Sequence, residues 1–319
     1  MYTANIQKSY NLIFFLFLIL YLFLLLYIVP NNEFTSDRLS FFISFNNMPD
    51  RISSTQFFSP AVLIDEPLYQ VIVYLLTIFF TPESIALILI GVSSSLSLIT
   101  LFRAKPEFLP IIILVFLLPQ FMGLFIAHLR QGLAVAVFLL MHFHFKKNLI
   151  TSCFIAGLVH VSFFIALPIL MLMQLKLRGK KLNFVTSLIL IMSAFLLFYF
   201  DIFREIVYYF EFRQAGNYSF QSNDISGYGF LFWFAVYAFF FLGRKLTESN
   251  VLAMNIIGVY LASYFFVNFI SRLLESFLAL IFIELRALNS SASYMALIFY
   301  LLISWQGRLG LPLFGFGVS

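Results

Sequence analysis

Apolar runs long enough to cross a bilayer follow one another along this chain, and most are closed by a short basic cluster. A helix needs about 20 apolar residues to cross a hydrocarbon layer of ~30 Å. Inside that layer every backbone polar group must be satisfied internally, which favours helices. Hydrophobic residues make up 62% of the chain and charged residues 10%, against about 25% charged in a soluble domain. There is too little polar material to cover a soluble fold, and the 45 phenylalanines suit a lipid solvent. The chain therefore reads as an all-α, polytopic transmembrane helical bundle of about ten or eleven spans. It forms a single integral membrane domain over residues 1–319, with outer loops at about 31–83 and 201–226.

The spans can be placed in order. The first runs from Leu12 to Val29 after Lys8 and is read as retained, being long for a signal peptide and followed by no small-x-small cleavage site. The long polar stretch from Asn31 to Glu66 is rich in carboxylates and belongs outside. Pro67 to Phe80 is apolar but short. Thr81-Pro82-Glu83 carries a cap and a first-position proline, so a second span starts there and runs to Phe102. If Pro67 to Phe80 lies on the outer surface, Arg103 and Lys105 fall inside, as the positive-inside rule prefers.

A third span is expected as one helix from Leu109 to Ile126, and a fourth from Gln131 to Phe145. Leu149 to Leu175 lies between two basic clusters and reads as two short helices meeting near His160. Further spans are expected at Leu182–Phe200, Gly227–Leu242, Val251–Ile270, Leu273–Leu285 and Ala292–Trp305. The net charge of +5 sits in clusters between spans and does not suggest nucleic acid. The single cysteine excludes a disulfide framework and a cysteine metal site.

Charge near membrane depth costs ~2.5 kcal/mol or more at a helix centre, so four places stand out. These are Asp65-Glu66-Pro67-Leu68-Tyr69, His128-Leu129-Arg130-Gln131-Gly132, His160, and Arg272 with Glu275. In this topology all four lie at outer helix ends, where they can converge on one cleft. Each also has a structural reading. Arg130 can snorkel, Gln131 and Gly132 can cap and pack, and His160 can bond a carbonyl freed at the bend. Arg272 and Glu275, three apart on one helix face, can pair, and Asp65 and Glu66 can be ordinary loop carboxylates. No H-E-x-x-H, P-loop, Rossmann glycine pattern or G-x-S-x-G is present. Arginines and a histidine facing carboxylates at an outer boundary suit a lipid-linked phosphate or pyrophosphate.

One stretch carries a family likeness. Arg130-Gln131-Gly132-Leu133-Ala134, an apolar helix, Lys146-Lys147, then Ala156 to Ser162 around His160 and Ala166-Leu167-Pro168 follow in order. This pattern resembles the EpsG family of Wzy-type polysaccharide repeat-unit polymerases. Glu66-Pro67-Leu68-Tyr69 and Ser271-Arg272-Leu273-Leu274 are similar to two further family segments. Asp37 fills the family's early aspartate, with Phe41 where tyrosine is common. The layout also resembles membrane glycosyltransferases of the C type, an analogy of fold.

The resemblance implies a glycosyltransferase joining undecaprenyl-pyrophosphate-linked repeat units at the outer face of the bacterial inner membrane, for O-antigen, capsule or exopolysaccharide. Under it, Arg130 and Arg272 clamp the pyrophosphate and His160 adds a hydrogen bond or charge. Asp37 or Glu66 takes the acceptor's proton, and Tyr69 stacks on sugar. Gln131, Glu275 and Arg213 are further substrate contacts. No metal or other cofactor is required; partners are the lipid-linked glycan, membrane lipid and a chain-length regulator. The rival readings are a lipid-linked oligosaccharide flippase or transporter, and another membrane transferase such as an acyltransferase.

Overall fold

The computed structural model describes residues 2–28, 66–174, 191–193, 195–196, 227–243, 247–265 and 270–309. The expected loop at 201–226 and most of the span at 182–200 lie outside the described residues, as does most of the loop at 31–83. Among the described residues every regular element is helical. They are α1 (Tyr2–Ile28), α2 (Pro67–Thr77), α3 (Pro82–Ala104), α4 (Leu109–Phe116), α5 (Pro119–Ile126) and α6 (Leu129–Leu139). There follow α7 (Leu149–Gly157), α8 (Ser162–Gln174), α9 (Gly227–Leu242), α10 (Glu248–Ser263), α11 (Ile270–Leu288) and α12 (Ser290–Gln306). A π-helical turn, Leu140–His144, extends α6. Lys8–Leu26 and Pro82–Ala104 are each long and apolar enough to cross a membrane; α4 and α5 with the turn before them make a third candidate if counted together. The fold is thus an all-α bundle of apolar helices.

The chain packs as two compact units, Met1–Val161 with Leu297–Ser319, and Ser162–Ala296. In the first, the ring of Phe14 on α1 stacks on Phe102 of α3 at 4.0 Å between centroids. This contact sets the start of α1 beside the end of α3, so Lys8 and Arg103 share one end of the unit. The 11 residues of α2 span only ~16 Å, short of a hydrocarbon layer of ~30 Å.

Close packing in this unit rests on small and self-satisfied residues. The helix α3 packs on α6 and buries Ser93, Ser94 and Ser97. A buried hydroxyl needs a partner, and each of these bonds a carbonyl one turn back, Ser94 to Ile90 at 2.6 Å and Ser97 to Ser93 at 2.8 Å. On α6, a Cβ at Gly132 would stand 2.5 Å from the backbone oxygen of Leu124. Only glycine lets α6 approach the preceding helix so closely. Thr81 caps α3 through the amide of Ser84, as its sequence predicts.

The structure corrects the third span. Residues 109–126 do not form one helix: α4 and its preceding turn meet α5 at 79°. Pro119 lacks an N–H and disfavours helical backbone at Leu118, which is extended at φ −65°, ψ 127°. The end of α12 braces this break. The Trp305 indole donates to the Leu117 carbonyl at 2.9 Å, and the Gln120 amide donates to the Ser304 hydroxyl at 2.9 Å.

The second unit holds α8 to α11. There α10 packs against α9 and α11, and α8 against α10 and α11. The start of α8 meets the start of α11 through Ser162 and Ser276, whose hydroxyls are 3.3 Å apart, and through Phe163 and Phe277, with centroids at 5.1 Å. Helix α9 occupies the run expected for it, and the break between α7 and α8 falls at His160, as expected.

Candidate functional site

Three residues far apart in the chain meet in the first unit. Glu66 stands immediately before α2, Arg130 in the first turn of α6, and His160 in the turn after α7. Arg130 Nη1 donates to Glu66 Oε2 at 2.7 Å, and His160 Nδ1 contacts Glu66 Oε1. Glu66 is 4% exposed and His160 5%, whereas a quarter of the Arg130 side chain remains open. Arg130 is therefore the most open member of this cluster.

The backbone holds the cluster from both sides. Glu66 adopts left-handed backbone, φ 59°, ψ 58°, which costs a residue with a Cβ roughly 1–2 kcal/mol. Such strain persists only where surrounding contacts over-determine it, as they often do at functional sites. Here the Leu68 amide donates to the Leu158 carbonyl at 3.0 Å, tying the start of α2 to the end of α7. The Glu66 carbonyl accepts from the Gln70 amide at 3.1 Å, and the His160 amide donates to Ala156 at 2.9 Å. The close approach at Gly132 fixes where α6 presents Arg130.

Electrostatics settle the state of the carboxylate. Burial pushes the Glu66 carboxyl up, but the charge of Arg130, then that of His160 when its ring is protonated, and the hydrogen bonds of both outweigh it and hold it at about 2. Glu66 is an ion at any ordinary pH. The arrangement is a buried anion flanked by one permanent cation and one imidazole, which can bind an anionic group and move a proton.

The other expected residues fall in different places. Gln131 is buried beside Arg130 on α6, and Tyr69 is buried on α2, three residues on from Glu66. Arg272 and Glu275 lie half-buried in the first turns of α11, in the second unit. Asp37 and Arg213 lie outside the described residues. Gln70, buried one turn from Glu66, joins this neighbourhood without any sequence signal beyond being an amide on an apolar helix. Among the described residues no three His, Cys, Asp or Glu side chains gather as a metal needs.

Comparison with curated proteins and with solved structures found no match. A family model does match, over residues 14–305. That range covers nearly every helix and all three residues of the buried cluster, and the chain belongs to the EpsG family.

Proposed function

We propose that this membrane protein is a polysaccharide repeat-unit polymerase, a glycosyltransferase that joins undecaprenyl-pyrophosphate-linked oligosaccharides at the outer face of the bacterial inner membrane. The observation that carries the reading is the buried Glu66–Arg130–His160 cluster inside a bundle of the EpsG family. Arg130, anchored by Glu66 and partly open, binds the pyrophosphate and stabilises the charge that grows as it leaves. His160 sits on the other carboxylate oxygen, within the same site. Arg272 and Glu275 are substrate contacts in this reading, as are Gln131 and Arg213. The reaction runs downhill because a pyrophosphate is a good leaving group, so no nucleotide is consumed.

The test is genetic. The gene is deleted in its host and the surface polysaccharide is run on a gel, with wild type, Arg130→Ala and Arg272→Ala supplied in trans. The ladder is expected to collapse to a single repeat unit, to return with wild type, and to stay collapsed with both variants at normal membrane levels. A ladder that persists after deletion refutes the polymerase reading. Loss of even the single unit from the surface points to a flippase instead.

A further inference from the structure

We infer that His160, through Nε2, accepts the proton of the attacking sugar hydroxyl, and that Glu66 is a positioning residue that fixes the imidazole for this. The inference rests on the glycosyl-transfer reading and deepens it.

The geometry assigns the protons. A carboxylate can only accept, so the Nδ1 that meets Glu66 Oε1 carries hydrogen. In the neutral ring the other nitrogen, Nε2, is then an acceptor with a lone pair. Among the described residues Nε2 has no hydrogen-bond partner. The ring is held by its burial and by the Nδ1 contact with Glu66, on a backbone fixed by the bond of its amide to Ala156.

Glu66 is poorly suited to the same task. Both of its oxygens are engaged, one by Arg130 and one by His160. The ion pair that anchors Arg130 also lowers the carboxylate's basicity. The charged groups facing His160 among the described residues are Glu66 and, across it, Arg130.

The step balances. The acceptor hydroxyl oxygen bonds to the anomeric carbon of the donor as the bond from that carbon to the pyrophosphate oxygen breaks. The bonding pair leaves with the polyprenyl pyrophosphate beside Arg130. The hydroxyl proton passes to Nε2, and the imidazolium formed is neutralised by Glu66 before releasing its proton to water.

The experiment uses washed membranes holding the full chain and the lipid-linked repeat units extracted from the deletion host. Rates are followed across pH for wild type, His160→Gln, Glu66→Gln, Glu66→Asp and Asp37→Asn. A positioned base contributes about 100- to 10,000-fold. His160→Gln is expected to lose at least about 100-fold in kcat with KM for the lipid-linked unit changed less than about 3-fold. Its residual rate should lack the acid-side fall of wild type. Glu66→Gln lets an amide N–H face Nδ1 and reverse the tautomer, so its kcat falls too, and Glu66→Asp recovers part of the loss. His160→Ala with added imidazole is the second arm, with recovery of rate supporting the assignment. A His160→Gln enzyme within about 3-fold of wild type, with Asp37→Asn inactive, overturns the assignment and leaves the polymerase standing. Units that wild-type membranes fail to extend overturn both.

Discussion

Neutralising Glu66 should loosen the fold by an amount its surroundings set. The carboxyl moves from an ordinary value of 4.5 to about 2 on folding, and every tenfold change in proton affinity corresponds to about 1.36 kcal/mol. The ionised form is thus favoured by ~3 kcal/mol in the fold. Breaking a buried pair from one side costs about 3–5 kcal/mol, but a quarter of Arg130 is open and solvent screens part of its interaction. Glu66→Gln is therefore expected to cost ~2 kcal/mol. At about 2–4 °C per kcal/mol for chains of somewhat smaller size, Tm should fall by about 4–8 °C. The assay is thermal unfolding of the full chain in detergent micelles at neutral pH, followed by intrinsic fluorescence. A cycle with Arg130→Gln isolates the pair, since residues in direct contact should couple by about 0.5 kcal/mol or more. A Tm change under about 1 °C, or strictly additive single variants, would refute the charge-pairing argument.

Two further outcomes follow from the same physics. Because the folded carboxyl is depressed, its stabilisation is complete above about pH 4.5 and is lost as pH falls toward 2. The Tm gap between wild type and Glu66→Gln should persist from about pH 8 to 5 and close only in that acid window; a gap that closes near neutral pH contradicts it. Gly132→Ala must push a methyl group to 2.5 Å from the Leu124 oxygen and should cost roughly 1–3 kcal/mol. Gly91→Ala, with nothing within 4 Å of the added carbon, should be neutral or gain up to about 1 kcal/mol. Equal melting temperatures for the two alanine variants would show that α6 does not need its close approach.

Much of this protein is written locally. Apolar run length announces helices, and α9 begins and ends where its run does. Thr81-Pro82 marks the start of α3 because capping and proline chemistry act within one turn. The motif around Arg130 and the histidine at the α7–α8 break are legible for the same reason, as polar groups where an apolar segment ends. Pro119 is equally visible, yet the apolar run around it predicts a single helix. Prolines are tolerated in membrane helices when neighbours satisfy the freed groups, so the residue alone does not say whether the helix bends.

What braces the bend is Trp305, 188 residues along the chain from the carbonyl it binds. The candidate site depends on tertiary structure in the same way. Local signals mark Glu66, Arg130 and His160 separately, but Glu66 lies 64 residues from Arg130 and 94 from His160. Only packing brings one carboxylate between both and turns Glu66 into left-handed backbone, against the extended preference of a residue before proline. That placement changes its chemistry, because a carboxylate's basicity depends on the charges beside it. Hydrophobic periodicity and caps act over a few residues and can be read along the chain. Ion pairs and helix breaks depend on which distant groups the fold sets side by side.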